Sequence, residues 1–378
     1  HGGTFANNIF AGACGKDKQL VYGLKVLNMD GGEVSESVYG GSQRVNDGYP
    51  QECQGLTDSE IASSTNPMTK TTLRPSSILN LAGGIVKTSI YGAGYQGNTY
   101  GSVYVNVGSK AIEDSKVWTR KIGDFENAYA IFKPGTFHGN ATALTAHHLI
   151  LDASVYGGAN WGSNDGSFDF RVPGFFGGES RIYVDGEGYN TTNESSAMPS
   201  MDIANSIIGS GTSVQGGDVH NSIHVYNYGS VDNNTCHASK TLRSIQRADE
   251  LYLWNTAIYY DGATDAASAY PSQQFTINRV DTVKVRGYNV IDLNAVLTEV
   301  AQLHFYEDAL DGSGNLVHTV SQDLFINDAS QCAPDLEVCQ RLQVIDPVTN
   351  KYAAMVVNNG VNVDIMTSDG GYGFLEGF

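Results

Sequence analysis

Ser37-Val38-Tyr39-Gly40-Gly41-Ser42 returns as Ser89-Ile90-Tyr91-Gly92-Ala93-Gly94 and as Ser154-Val155-Tyr156-Gly157-Gly158-Ala159, with shorter echoes at Val21-Tyr22-Gly23 and Phe175-Phe176-Gly177-Gly178. Each run carries an aliphatic or aromatic pair, suited to a half-buried strand, straight into glycines that permit a tight turn with positive φ. Short apolar strands precede three of these corners: Val26-Leu27-Asn28-Met29, Ile78-Leu79-Asn80-Leu81-Ala82 and His148-Leu149-Ile150-Leu151-Asp152. The unit reads strand, bend, strand, glycine corner, and then again.

Repetition on this scale marks a solenoid, in which each repeat buries its apolar face only by stacking on its neighbours. The aromatic positions 22, 39, 91, 156 and 176 are separated by 17, 52, 65 and 20 residues. About 20 residues make one turn of a β-solenoid, and the longer gaps fit about three turns or turns with long insertions. Val38, Ile90 and Val155 then belong in one core with parallel strand neighbours. The competing reading is a β-sandwich in which the same runs are hairpin approaches.

Composition supports short strands and turns. The 378 residues include 44 Gly and 21 Tyr, and only 16% are charged; such a profile disfavours a helical protein. The formal charge of −18 disfavours nucleic-acid binding, which needs a basic face. No apolar run approaches the roughly 20 residues of a membrane span. The chain opens at His1 and ends at Phe378 as if cut from something longer. Five cysteines, Cys14, Cys53, Cys236, Cys332 and Cys339, are an odd number for a stapled fold. Cys332 with Cys339 would close a small loop and Cys14 with Cys53 would pin the first turns, in an exported, oxidising setting. Their spacing to histidines is not that of a zinc site, so neither metal nor cofactor is expected.

Along the chain, residues 1–300 read as a parallel β-helix with insertions at 43–72 and 108–139, the second opening on a short helix around 109–116. Val103, Val105 and Val107 alternate with Ser102, Tyr104 and Asn106, a strand pattern. Two later stretches, at 244–253 and 276–285, share Ile, Arg two places on and Asp two further, at an offset of 32; they continue the coil through at least Val290. Residues 301–378 read as a hairpin around 311–315 and closing β turns. Propensity alone favours helix at 293–303.

The runs at 37–42, 89–107 and 154–162, with the endings at 358–365 and 370–378, resemble the repeat units of large adhesin-like surface proteins of gut bacteria. That resemblance implies a right-handed parallel β-helix of the pectin-lyase-like or autotransporter-passenger-like kind. It also implies an extracellular or cell-surface place and a task of display and binding to a glycan or host surface, without catalysis. Two rivals share the fold: a polysaccharide lyase or glycoside hydrolase, and a phage tail-spike-like segment.

Hydrolysis needs two carboxylates across a groove, and the candidates are Asp165 with Asp169, or Asp202 with Asp218 near His220. His147 and His148 would face opposite sides of a strand. Asp311, Ser313 and Asn315 have the alternating oxygens of a calcium loop but lack the acidic residue that completes it. For a sugar ligand the best candidates are aromatic and amide side chains on projecting loops. Trp161 with Asn164, Asp165 and Asp169 ranks first, followed by the turn carrying Tyr95 and Tyr100.

Overall fold

The computed structural model describes residues 3–15, 19–48, 75–114, 148–160, 175–176, 179–191, 198–212, 220–232, 235–237, 239, 241–258, 275–286, 289–292, 296–305, 307–310, 316–319, 324–327, 342–346, 351–358, 363–367 and 372–374. Their regular structure is almost entirely β-strand, and most of the strands pair in parallel. Two compact units are distinguished, the first holding most of the chain up to Ile223 and the second most of it from His224 onward.

The first unit is a parallel solenoid. Its first turn holds β1 (Thr4–Phe5), β2 (Ile9–Phe10) and β3 (Leu20–Tyr22); its second β4 (Lys25–Val34), β5 (Val38–Tyr39) and β6 (Asn46–Gly48). The third holds β7 (Pro75–Val86), β8 (Ile90–Tyr91) and β9 (Thr99–Tyr100). The fourth holds β10 (Ser102–Val107), the helix α1 (Ser109–Asp114), β11 (Leu149–Leu151), β12 (Val155–Tyr156) and β13 (Phe175–Phe176). Next come β14 (Glu179–Asp185), β15 (Met201–Ile203), β16 (Ser206–Ile208) and β17 (His220–Tyr226), the last two straddling the unit boundary. Val38 pairs with Ile90, and Ile90 with Val155, in parallel register. All three are at most 1% exposed. The sandwich reading is thereby excluded for this region, since its strands would pair antiparallel.

The length of a turn differs from the sequence expectation. Hydrogen-bonded neighbours on the first and second turns are 29 positions apart, and Asn80 and Asn106, on successive turns, are 26 apart. Tyr39 and Tyr91, 52 residues apart in sequence, are nevertheless on adjacent turns, because residues 49–74 intervene between β6 and β7. The same holds for Tyr91 and Tyr156, so neither gap contains three turns. Tyr22 does not share their column; it pairs with Gly48, and Gly48 with Tyr100.

Each turn has a bend where an insertion can leave. β4 and β7 run through it, with a register shift at Asp30–Glu33 and positive φ at Gly32 (88°) and Gly84 (112°). In the fourth turn the two halves are separate strands: Val107 pairs with Leu81, while Leu149 pairs with Gly84. The chain leaves the coil between them, beginning with α1, whose Ala111 and Ile112 are fully buried. The helix expected near 109–116 is present as 109–114.

The corner glycines serve a purpose other than the one expected. Gly40, Gly41, Gly92, Gly94, Gly157 and Gly158 are absent from the positive-φ residues; they are needed because the turns approach one another. A Cβ on Gly40 would lie 2.2 Å from Gly92 O, one on Gly92 2.5 Å from Gly157 O, and one on Gly157 2.2 Å from Gly209 O. Beside this column the rings of Phe10, Tyr39, Tyr91 and Tyr156 stack with centroids 4.6, 4.9 and 4.7 Å apart. Each such pair adds about 0.5–1.5 kcal/mol beyond area burial. Burial raises the phenol pKa of both Tyr39 and Tyr91.

The alternation read at 102–107 holds, with a second consequence. Val103, Val105 and Val107 face the interior, yet Ser102, Tyr104 and Asn106 on the other side are equally buried. There an amide ladder runs across three turns: Asn106 Nδ2 donates to Asn80 Oδ1 (2.8 Å) and Asn80 Nδ2 to Asn28 Oδ1 (2.9 Å). Such a ladder satisfies polar groups that would otherwise cost about 1–3 kcal/mol each.

The second unit contains a hairpin of β18 (Ser230–Asp232) and β19 (Thr235–His237), followed by parallel strands. These are β20 (Ser244–Trp254), β21 (Ala257–Ile258), β22 (Thr276–Arg286), β23 (Asn289–Asp292) and β24 (Val296–Phe305). Ser244 pairs with Thr276 and Leu253 with Val285, so the offset of 32 found in the sequence is the register of two adjacent turns. Arg247 and Arg279, the repeated arginines, both have positive φ (57° and 55°) and mark the same corner. Residues 296–305 are strand, against the helical propensity of 293–303; parallel pairing with β22 outweighs a local preference worth only tenths of a kcal/mol per residue.

Then come β25 (Glu307–Leu310), β26 (Leu316–Thr319), β27 (Leu324–Asn327), β28 (Leu342–Asp346), β29 (Lys351–Asn358), β30 (Val363–Thr367) and β31 (Tyr372–Phe374). β25 and β26 form the antiparallel hairpin expected around 311–315. β28 to β31 pair antiparallel in sequence order, with Asn358 opposite Val363.

Candidate functional site

In β20 the side chains alternate between core and surface. Leu251 and Leu253 are at most 1% exposed, while Glu250, Tyr252 and Trp254 are half-buried on the opposite side. The pairing of β20 with β22 places Lys284 beside Tyr252. From β17, Tyr226 is half-buried on the same side and His224 is buried beside it, with Val225 between them in the core. The result is a continuous aromatic and polar cluster on one sheet face of the second unit.

Its geometry is closely tied. The His224 and Tyr252 rings stack with centroids 4.3 Å apart and planes 7° off parallel. Tyr226 meets Trp254 edge to face at 5.1 Å, and His224 Nδ1 lies 3.2 Å from the Tyr226 hydroxyl. Lys284 Nζ donates to Glu250 Oε1 (2.6 Å) and to the Tyr252 hydroxyl (2.9 Å), and that hydroxyl donates to Glu250 Oε2 (2.7 Å). The ammonium also sits 4.7 Å from the centroid of the Tyr252 ring, within the range of a cation–π contact. Glu250 and Lys284 are 27% and 22% exposed, so the triangle is fixed from below and reachable from above.

Such a face can stack an apolar ring surface on its aromatics while its charged rim exchanges hydrogen bonds with hydroxyls. It is poorly suited to glycoside hydrolysis. That reaction needs two carboxyls about 5–9.5 Å apart, whereas this cluster holds one, and Lys284 and Tyr252 both engage it.

The sites expected from sequence are distributed differently. Trp161, Asn164, Asp165 and Asp169 lie outside the described residues, as do Asp218, His147 and residues 311–315. Tyr95 is half-buried in the first unit, its ring edge-on to Tyr39 at 5.9 Å. Tyr100 ends β9, with Asn98 Nδ2 donating to its hydroxyl at 3.3 Å. His148 is exposed, and its Nδ1 accepts the backbone N–H of Ser200 at 2.9 Å. The Cys14 thiol is free and exposed, donating to Gln43 Oε1 at 3.1 Å; Cys53, Cys332 and Cys339 lie outside the described residues. Among the described residues no group of three or more His, Cys, Asp and Glu is placed to hold a metal ion, and no helix is long and apolar enough to cross a membrane.

Asp202, on β15, has Asp152 as its carboxylate neighbour in the first unit. Partial desolvation chiefly, and Asp202 next, raise the pKa of Asp152, an exposed residue, against the pull of Lys87. A carboxyl whose folded pKa lies above its ordinary 3.8 binds its proton more tightly in the folded state. Stability therefore falls as pH rises through that window. Asp152→Asn is expected to raise the melting temperature at pH 7, with the gain vanishing below pH 3.8; equal melting curves at pH 7 would show that solvent screens the pair completely.

No protein-family model, curated protein or solved structure matches this chain. The functional reading therefore rests on the residues themselves.

Proposed function

We propose that this chain is an extracellular, adhesin-like segment, a right-handed parallel β-helix with loop insertions, that displays a glycan-binding face. The observation that carries this reading is the cluster of Tyr226, Tyr252 and Trp254, half-buried on one sheet face and held by His224, Glu250 and Lys284. Aromatic side chains pre-set in this way lose little entropy on binding, and polar groups fixed at their margin supply direction. Low lysine and arginine content and a charge of −18 favour a neutral sugar over an anionic one, since long-range attraction of anions is absent.

A glycan array with the whole chain tests the reading. Trp254→Ala and Tyr252→Ala are each expected to reduce binding by roughly two- to tenfold while circular dichroism is unchanged, the loss of one stacking contact being worth about 0.5–1.5 kcal/mol. Trp161→Ala is the companion variant. If it alone loses binding, the ligand sits on the 161–169 loop and the second-unit face is structural. If the parent binds no glycan, the display role fails.

A further inference from the structure

Inside the second turn of the first unit an amine and a carboxyl group are held together away from water. Lys25 opens β4 and Asp47 lies in β6, so they stand at the two ends of the same turn. Their side chains are 5% and 1% exposed, and Nζ lies 3.3 Å from Asp47 Oδ1. Two backbone carbonyls accept N–H bonds from Nζ, Gly23 O at 2.9 Å and Val21 O at 3.2 Å. On the acid side, the Ser42 backbone N–H donates to Oδ2 and the Ser42 hydroxyl to Oδ1, both at 2.6 Å. Ser42 Oγ in turn accepts the Ala13 N–H at 3.0 Å.

A neutral amine has two N–H bonds and one lone pair. With both N–H bonds taken by the two carbonyls, the lone pair is the position left for the Asp47 carboxyl, whose Oδ1 is 3.3 Å from Nζ. We propose that Lys25 and Asp47 condense into an intramolecular amide bond that closes the second turn of the coil into a covalent ring. A proton first passes within the ion pair, from ammonium to carboxylate, giving amine and carboxylic acid. Nζ then attacks Cγ. The oxygens of the tetrahedral intermediate stay hydrogen-bonded to the Ser42 N–H and hydroxyl, an arrangement that stabilises developing charge there. The C–O bond breaks and the hydroxyl leaves with a proton from Nζ as one water. Nothing is oxidised or reduced, and no other reactant is consumed.

Four physical terms favour this over a permanent ion pair. Burial lowers the Lys25 pKa, outweighing the opposing influence of Asp47, and so enriches the amine. A buried charge pair recovers its desolvation cost only in part, whereas an amide carries no net charge. Fixed proximity supplies effective concentrations of roughly 10⁵–10⁸ M, and expulsion of water from the interior opposes the reverse hydrolysis.

Intact mass spectrometry of the purified whole chain, after thiol reduction, is the test. The expected mass is one water below that of the sequence, with trypsin failing to cut at Lys25 and releasing a branched peptide that joins it to Asp47. Lys25→Ala and Asp47→Ala should each have the full mass of their own sequences, and Ser42→Ala should form the bond more slowly. A parent chain at full sequence mass overturns the proposal and leaves an ion pair. A water deficit without the branched peptide overturns it equally.

Discussion

Val155→Asp is expected to unfold the first unit. Val155 is fully buried, paired in parallel with Ile90 on one side and Ile207 on the other, and these two are at most 1% exposed. A carboxylate there would lie between two aliphatic side chains with no cation in its column. Burying an unpaired charge costs several kcal/mol even after relaxation, against a total stability of about 5–15 kcal/mol for a domain. Val155→Ala separates the charge from the lost volume: it should cost only about 1–3 kcal/mol and leave a cooperative transition. Denaturant unfolding followed by circular dichroism reads both. An aspartate variant that melts with the parent would mean that Val155 is not in the core.

The same column shows what the sequence made legible. A β-branched or aliphatic residue before each aromatic, at 38, 90 and 155, predicted one shared interior position, because stacked turns put like residues on like. The register of 244–254 on 276–286 was readable for the same reason: two unbroken strands carry no insertion to hide the period. Turn length was not readable in the first unit. Insertions of 26 residues and more, entering between β6 and β7 and at the bend after Val107, stretched a 26 to 29 residue turn to gaps of 52 and 65.

The candidate face was missed for a related reason. Aromatic residues were sought on glycine-rich loops, where Trp161 and Tyr95 stand out. Tyr252 and Trp254 instead occupy the alternate positions of a regular strand, which periodicity assigns to the outer side without distinguishing a binding surface from a solvated one. His224 and Lys284 lie 28 and 32 positions from Tyr252, and only the stacking of turns brings them to it. The outward residues at 250, 252 and 254, set against 282 and 284 in the repeat, were the available signal.

Gly157→Ala is expected to be nearly as damaging as the buried charge, although alanine is the smallest change a glycine can undergo. The chain tolerates alanine in the adjacent column, at Ala93. At Gly157 the added Cβ would lie 2.2 Å from Gly209 O and 2.1 Å from Ser180 Oγ. The serine can rotate, but its hydroxyl then gives up its 2.9 Å bond to Gly209 O. The carbonyl is backbone in the next turn and cannot yield alone. Turns must separate along the column, loosening the contact of Tyr91 with Tyr156 and the parallel bonds on either side. Overpacking commonly costs about 1–3 kcal/mol, and an unsatisfied buried carbonyl adds about 1–3 more, so a loss of roughly 3 kcal/mol or above is predicted. The control is Gly188→Ala. A Cβ there meets nothing within 4 Å, but φ is +85°, so only a backbone preference of about 1–2 kcal/mol is at stake. If Gly157→Ala proves the milder of the two in a denaturant melt, close stacking of the turns is not what demands glycine at this corner.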